Sequence, residues 1–245
     1  MWWDPRPLDD ECIHARLGEL NVWTKREPGE IVVCSKRDTA SEEVEFGPGT
    51  PPHDADVRRF VMSERAETLS FQPRLAARSV VVRPRVPVFL PPGQHASIYV
   101  TTPLNAALFA GAVLLDELSI WDPPETWFGR SPVDGELCYA SRTSGTRQRQ
   151  ELTVGPTRAA TEVRLENQSG ETLEARTIRL PVPRLTLAWD SAAASLVTET
   201  VRLIREDASA AELRIEALPD SAEKLVAPRQ KSAPAWKNAL AALWL

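Results

Sequence analysis

Apolar residues recur at every second position in this chain, in short runs interrupted by proline. No other feature limits the possible folds as tightly. From Val80 to Leu90 the even positions are Val80, Val82, Pro84, Val86, Val88 and Leu90, set against Ser79, Arg83 and Arg85. A period of two gives an extended strand one apolar face and one polar face. Pro84 and Pro87 cannot donate ladder hydrogen bonds, so this strand is expected at a sheet edge or broken there. Pro91-Pro92-Gly93 turns the chain. Ala96, Ile98 and Val100 then alternate with His95, Ser97, Tyr99 and Thr101 in the next strand.

The second half repeats this habit. Val163 and Leu165 alternate with Glu162, Arg164 and Glu166, and Asn167-Gln168-Ser169-Gly170 supplies a turn. The return run, Leu173 to Leu180, changes apolar parity near Thr177-Ile178, which reads as a bulge. Leu185, Leu187 and Trp189 mark another strand, and Leu213, Ile215 and Ala217 a further one. Residues 196–205 fit two patterns. Leu196, Val197, Thr200, Val201 and Ile204 make a helical stripe. The β-branched Val197, Thr198, Thr200, Val201 and Ile204 favour a strand, and the neighbouring strands tilt the reading that way.

The predicted class is therefore mainly β: two packed β-sandwich-like units with few helices. Asp122-Pro123-Pro124-Glu125 is the expected boundary, giving an N-terminal β unit over 1–122 and a second β unit over 123–245. Ser232-Ala233-Pro234 followed by Trp236, Leu240 and Leu243 predicts a short capped C-terminal helix in the second unit. The stretch 38–56 holds Gly47-Pro48-Gly49-Thr50-Pro51-Pro52 and Glu42, Glu43 and Glu45, and is expected to be a mobile surface loop. The 21 prolines against 11 glycines fit this division, since prolines gather at strand ends.

Charge and cysteine narrow the partners. With 34 acidic and 29 basic residues the net charge is −5, without the basic footprint of a nucleic-acid-binding domain. Cys12, Cys34 and Cys138 are odd in number and contain no C-x-x-C, which points to free thiols in a reducing compartment. Met1-Trp2-Trp3-Asp4-Pro5 lacks the pattern of a signal peptide. The longest apolar run, Ala106 to Leu115, is about half of what a membrane span needs. A cytoplasmic protein without a membrane span is expected.

No catalytic motif appears. G-x-S-x-G and the glycine-rich phosphate loops are missing, and adjacent carboxylates such as Glu42-Glu43 would point to opposite faces of a strand. Cys12, His14 and Cys34 could offer zinc ligands but lack the paired spacing of a structural site. The sequence thus implies no catalytic residue, metal or cofactor, and a non-enzymatic role. The candidate binding residues are Trp121, Trp127, Arg130, Asp134, Tyr139 and Arg142, gathered around one loop. Such a cluster can line a groove for a sugar or an extended peptide, with the charges fixing orientation. It can equally be an aromatic corner that packs two sheets, with Arg130 and Asp134 solvated.

The order of features from Val86 onward is specific. A strand with Pro-Pro-Gly leads to the aliphatic run Ala106–Leu115, then Ile120-Trp121-Asp122-Pro123, then Thr126-Trp127-Phe128-Gly129. Gly135-Glu136-Leu137-Cys138-Tyr139, the strand 162–167 and a terminal Ala241-Ala242-Leu243-Trp244-Leu245 follow. This resembles the uncharacterised family called domain of unknown function 432, over roughly the last two-thirds of the chain. Thr126-Trp127-Phe128-Gly129, Gly135 and the Leu137-Cys138 strand are similar to its aromatic-Gly, loop, Gly, strand pattern. The family pattern places an arginine-aromatic pair just after that strand begins. Tyr139-Ala140 stands there instead, with Arg142 displaced. The resemblance implies no activity. The expected function is an interaction or accessory module, acting on a protein partner or by self-association. The alternatives are a carbohydrate-binding module that stacks sugars on Trp121, Trp127 and Tyr139, and a hydrolase with dispersed carboxylates.

Overall fold

β-Branched and aromatic runs become strands throughout, as the two-residue period requires. In the computed structural model the helices among the described residues are two three-residue 3-10 turns, Arg149–Glu151 and Val182–Arg184. The structure describes every residue except 39–40, 85, 123, 130–134, 143–144, 208–210, 232–235, 238–242 and 245, and not the side chains of residues 142, 236, 237, 243 and 244. Among the described residues, no helix is long and apolar enough to cross a membrane.

The chain divides into two compact units, Met1–Arg74 with Leu104–Asp122, and Leu75–Pro103 with Pro123–Leu245. One junction falls between Asp122 and Pro123, and the division is not contiguous. Leu75–Pro103 lies in the second unit because its strands pair with strands from the second half.

The first unit holds two antiparallel sheets. One orders Val44–Pro48, Ile13–Leu17, Leu20–Glu27, Glu30–Arg37 and Asp56–Val61 side by side. Its central hairpin turns at Pro28-Gly29. Pro28 suits the first corner of a type II turn, and Gly29 at φ +78° supplies the left-handed second corner. The other sheet orders Arg6–Pro7, Thr68–Arg74, Asn105–Ala110 and Val113–Ser119. The sheets meet through Phe46 and Phe71, whose ring centroids lie 5.9 Å apart, and through the Arg58–Asp116 ion pair. Leu17, Ile31, Leu69, Phe71 and Leu108 are buried. The apolar run Ala106–Leu115 is a hairpin that turns at Gly111. The expected loop over 38–56 contains an edge strand, Val44–Pro48, which pairs with Ile13–Leu17 despite its two turn-forming residues.

In the second unit, Arg158–Asn167 is the spine of the largest sheet. His95–Pro103 pairs antiparallel along one edge. Ser195–Val197 and Val201–Arg205 pair parallel in turn along the other. Residues 196–205 are therefore strand, interrupted at 198–200. Leu187–Asp190, Ala222–Val226 and Ala211–Ile215 extend the sheet. A five-stranded sheet orders Glu125–Gly129, Gly135–Arg142, Val80–Arg83, Thr177–Leu180 and Leu243–Trp244. Val80, Val81 and Val82 are all buried, so this strand is covered on both faces rather than on one. The prolines break it as expected. Its continuation, Val88–Leu90, pairs separately with Leu173–Ala175. The parity change near Thr177 is accordingly a change of sheet, not a bulge: Leu173–Ala175 and Thr177–Leu180 have different partners.

The described part of the C-terminal segment is not helical. Trp236–Lys237 pairs with Ala211–Ile215 and Leu243–Trp244 with Thr177–Leu180. The rest of the expected C-terminal helix, residues 232–235 and 238–242, lies outside the described residues.

Candidate functional site

The antiparallel pair Glu125–Gly129 and Gly135–Arg142 carries most of the predicted site. Its register sets Trp127 opposite Leu137, Glu125 opposite Tyr139 and Phe128 opposite Glu136. Alternation then sorts the side chains onto two faces. One face bears Phe128 and Cys138, buried with Val81 in a small core. Burial pushes the Cys138 thiol up to about 12, and it donates to the Glu136 carbonyl at 3.6 Å. Such a thiol is protonated at neutral pH and serves packing. The buried Arg179 pairs with the Glu136 carboxylate from Thr177–Leu180, two strands away across Val80–Arg83.

The other face is open. Trp127 is 48% exposed and Leu137 40%, an apolar pair side by side across two strands. Gly135 makes the position of the indole possible. A Cβ there would fall 2.4 Å from Trp127 Nε1 and 2.5 Å from its Cε2. The indole thus lies against bare backbone. Next along this face, the Arg78 guanidinium sits 5.3 Å from the Tyr139 ring centre and pairs with Glu125. That hydrogen bond raises the Arg78 pKa further. Glu125–Gly129 is an end strand of its sheet, so its outer edge has no strand pairing among the described residues.

Three of the six expected residues have described side chains, Trp121, Trp127 and Tyr139. Trp127 and Tyr139 share the open face described above. Trp121, partly buried, belongs to the first unit. Arg130 and Asp134 lie outside the described residues, as does the side chain of Arg142, whose backbone pairs with Arg83. Leu137, Arg78 and Glu125 join the site without having been singled out. Residues 125 and 127 alternate in step with 137 and 139, and that shared parity is the signal for two of them. Arg78 comes from a distant segment and leaves no such trace.

A second charged feature covers the largest sheet. Ser97, Arg164, Arg202 and Arg214 stand in one cross-strand row, and His95, Glu166, Ile204 and Glu212 in the next. Arg164 binds Glu162 at 3.0 Å and Glu216 at 2.7 Å. Arg202 binds Glu166 at 2.6 Å, and Arg214 binds Glu212 at 2.7 Å. Three similar pentads build this lattice: Glu162-Val-Arg-Leu-Glu166, Thr200-Val-Arg-Leu-Ile204 and Glu212-Leu-Arg-Ile-Glu216. Their unequal spacing hides them from a search for fixed-period repeats.

The first unit has a polar groove of about 780 Å³ beside the Pro28-Gly29 turn. Arg26 spans it, donating to Asp10 at 2.9 Å and to the Ala66 carbonyl at 3.2 Å. His14 is stacked on Trp23 at 4.7 Å and hydrogen-bonded to Asn21 at 2.9 Å. Among the described residues, no three His, Cys, Asp or Glu side chains are grouped to hold a metal ion.

These features define a class: a two-unit, mainly β protein that presents an exposed tryptophan–leucine pair beside a strand edge left unpaired among the described residues. The chain belongs to the family described as Protein of unknown function (DUF432), whose sequence model matches residues 2–241. The match takes in the front of the chain as well as the two-thirds that carried the resemblance. No curated protein and no solved structure shows significant similarity to it.

Proposed function

We propose that this chain is a non-enzymatic interaction module, and that the Glu125–Gly129 edge is its docking element. One observation carries the reading: Trp127 and Leu137 are exposed together beside a strand edge that no described strand pairs with. An extended segment can add to such an edge, its backbone supplying affinity and its side chains specificity. A half-exposed tryptophan is a favoured anchor for such contacts.

The same geometry weighs against the other two functions. A sugar platform needs open ring faces and converging polar groups, but Arg78 lies over Tyr139 and the neighbour of Trp127 is leucine. A hydrolase that works through a carboxylate pair needs two acids converging on one site. Asp10, Glu30, Glu125, Glu136, Glu162 and Glu166 each pair with an arginine instead. A cytoplasmic location fits the three free cysteines.

Selection from a displayed library of random extended peptides tests the docking reading. Enriched peptides should bind the intact chain and lose at least about tenfold on Trp127→Lys. Failure to enrich any peptide, or binding that is indifferent to residue 127, would discard it. Across a glycan panel, tryptophan fluorescence should stay unchanged.

A further inference from the structure

We infer that the occupant of this edge is a second copy of the same chain, paired antiparallel about a two-fold axis at Trp127. The inference rests on the docking reading above and names its partner. Two identical strands related by an axis normal to their sheet pair residue i with residue j of the copy, where i + j is constant. The axis keeps each side chain on its own face, so that sum must be even. One residue therefore always meets itself at the axis.

This rule removes most of the exposed edges of five or more described residues. Ala222–Val226 would set Lys224 against Lys224. Val113–Ser119 would set Asp116 against Asp116. The longest overlaps of Asp56–Val61 are centred on Arg58 or Arg59. Like charges directly opposite are repulsive, which is how natural edges avoid self-pairing. Val44–Pro48 ends in a residue without an N–H, and Arg6 covers its central Phe46. His95–Pro103 is already bridged at its middle, Tyr99 to Thr146.

Among the described residues, Glu125–Gly129 carries no like charge at its centre. Centred on Trp127, it sets Thr126 against Phe128 of the copy and Glu125 against Gly129. Its only charge meets a residue without a side chain, and Arg78 already neutralises it. The two indoles fall side by side, each flanked by its own Leu137. Four half-exposed apolar side chains then form one continuous row across four strands. A five-residue ladder with this row is smaller than the roughly 1,200 Å² of a standard stable interface. The dimer should therefore be weak and concentration-dependent.

Sedimentation of the intact chain from about 10 µM to about 1 mM should show reversible monomer–dimer exchange, with micromolar or weaker affinity. Trp127→Lys places two ammonium groups at the axis and should weaken association at least about tenfold, with an unchanged circular dichroism spectrum. Leu225→Lys, on the Ala222–Val226 edge, should leave it unchanged. A wild-type monomer across the whole range overturns the inference, as does a dimer indifferent to Trp127→Lys. The peptide selection separates the two failures. A strict monomer that still captures Trp127-dependent peptides loses only the second copy, and one that captures none loses the docking reading as well.

Discussion

Asn167 shows how much a single polar side chain can hold. It is buried, and its amide nitrogen donates to the carbonyls of Leu90 at 2.8 Å and Glu171 at 2.7 Å. Its amide oxygen accepts from the Ser169 hydroxyl at 2.6 Å. Asn167→Asp removes both donors and sets an acceptor against two carbonyls, and should cost about 2–4 kcal/mol in urea unfolding. Ala194 presents the reverse case. It sits at φ +45°, a left-handed conformation that disfavours a Cβ. Ala194→Gly should stabilise the protein by about 0.5–1 kcal/mol, read as a shift in the urea midpoint at unchanged slope. The sequence pointed to a turn at Asn167 through residue type. It gave no warning of Ala194, because nothing about an alanine announces the conformation its neighbours impose.

At the scale of the strand, charge patterning is the instructive feature. The arginine row across Arg158–Asn167, Val201–Arg205 and Ala211–Ile215 is neutralised by acids on either side. Burial pushes the Glu162 carboxyl up. Hydrogen bonds from Arg164, Ser97 and Thr200, with the Arg164 charge, reverse this, and its pKa lies below the ordinary 4.5. A lowered carboxylate binds fewer protons folded than unfolded. Its contribution is therefore complete above about pH 4.5 and is lost as pH falls through the folded value. Glu162→Gln should flatten the acid limb of stability between about pH 5 and pH 3, measured by urea midpoint against pH. An acid limb as steep as wild type would show that other carboxylates govern it. The acid and arginine residues of the first and third pentads were legible in the alternation. Their meeting was not, since register between distant strands is set by pairing.

For the whole molecule, each unit brings its own sheets and core residues. Phe71 is buried in the first unit, beside Phe46. Phe71→Ala should cost about 3–5 kcal/mol and fall mainly on that unit. Calorimetry should then resolve an early transition for the first unit ahead of the second. One peak shifted as a whole would show that the units melt together. The expected boundary near Asp122 came from a proline pair, a local signal. The return of Leu75–Pro103 to the second unit has no local signal, because it follows from which strands find each other.

The sequence by itself determined the mainly β class and the breaks at Pro84 and Pro87. Both rest on local stereochemistry: a period of two and a missing N–H. Tertiary structure alone decided that Val80–Arg83 is an interior strand, that Leu173–Leu180 divides between two sheets, and that Trp127 on the end strand stands beside Leu137 of its neighbour. Those outcomes depend on contacts between residues far apart in the chain. Alternation states which face a side chain takes, but not which strand will lie next to it.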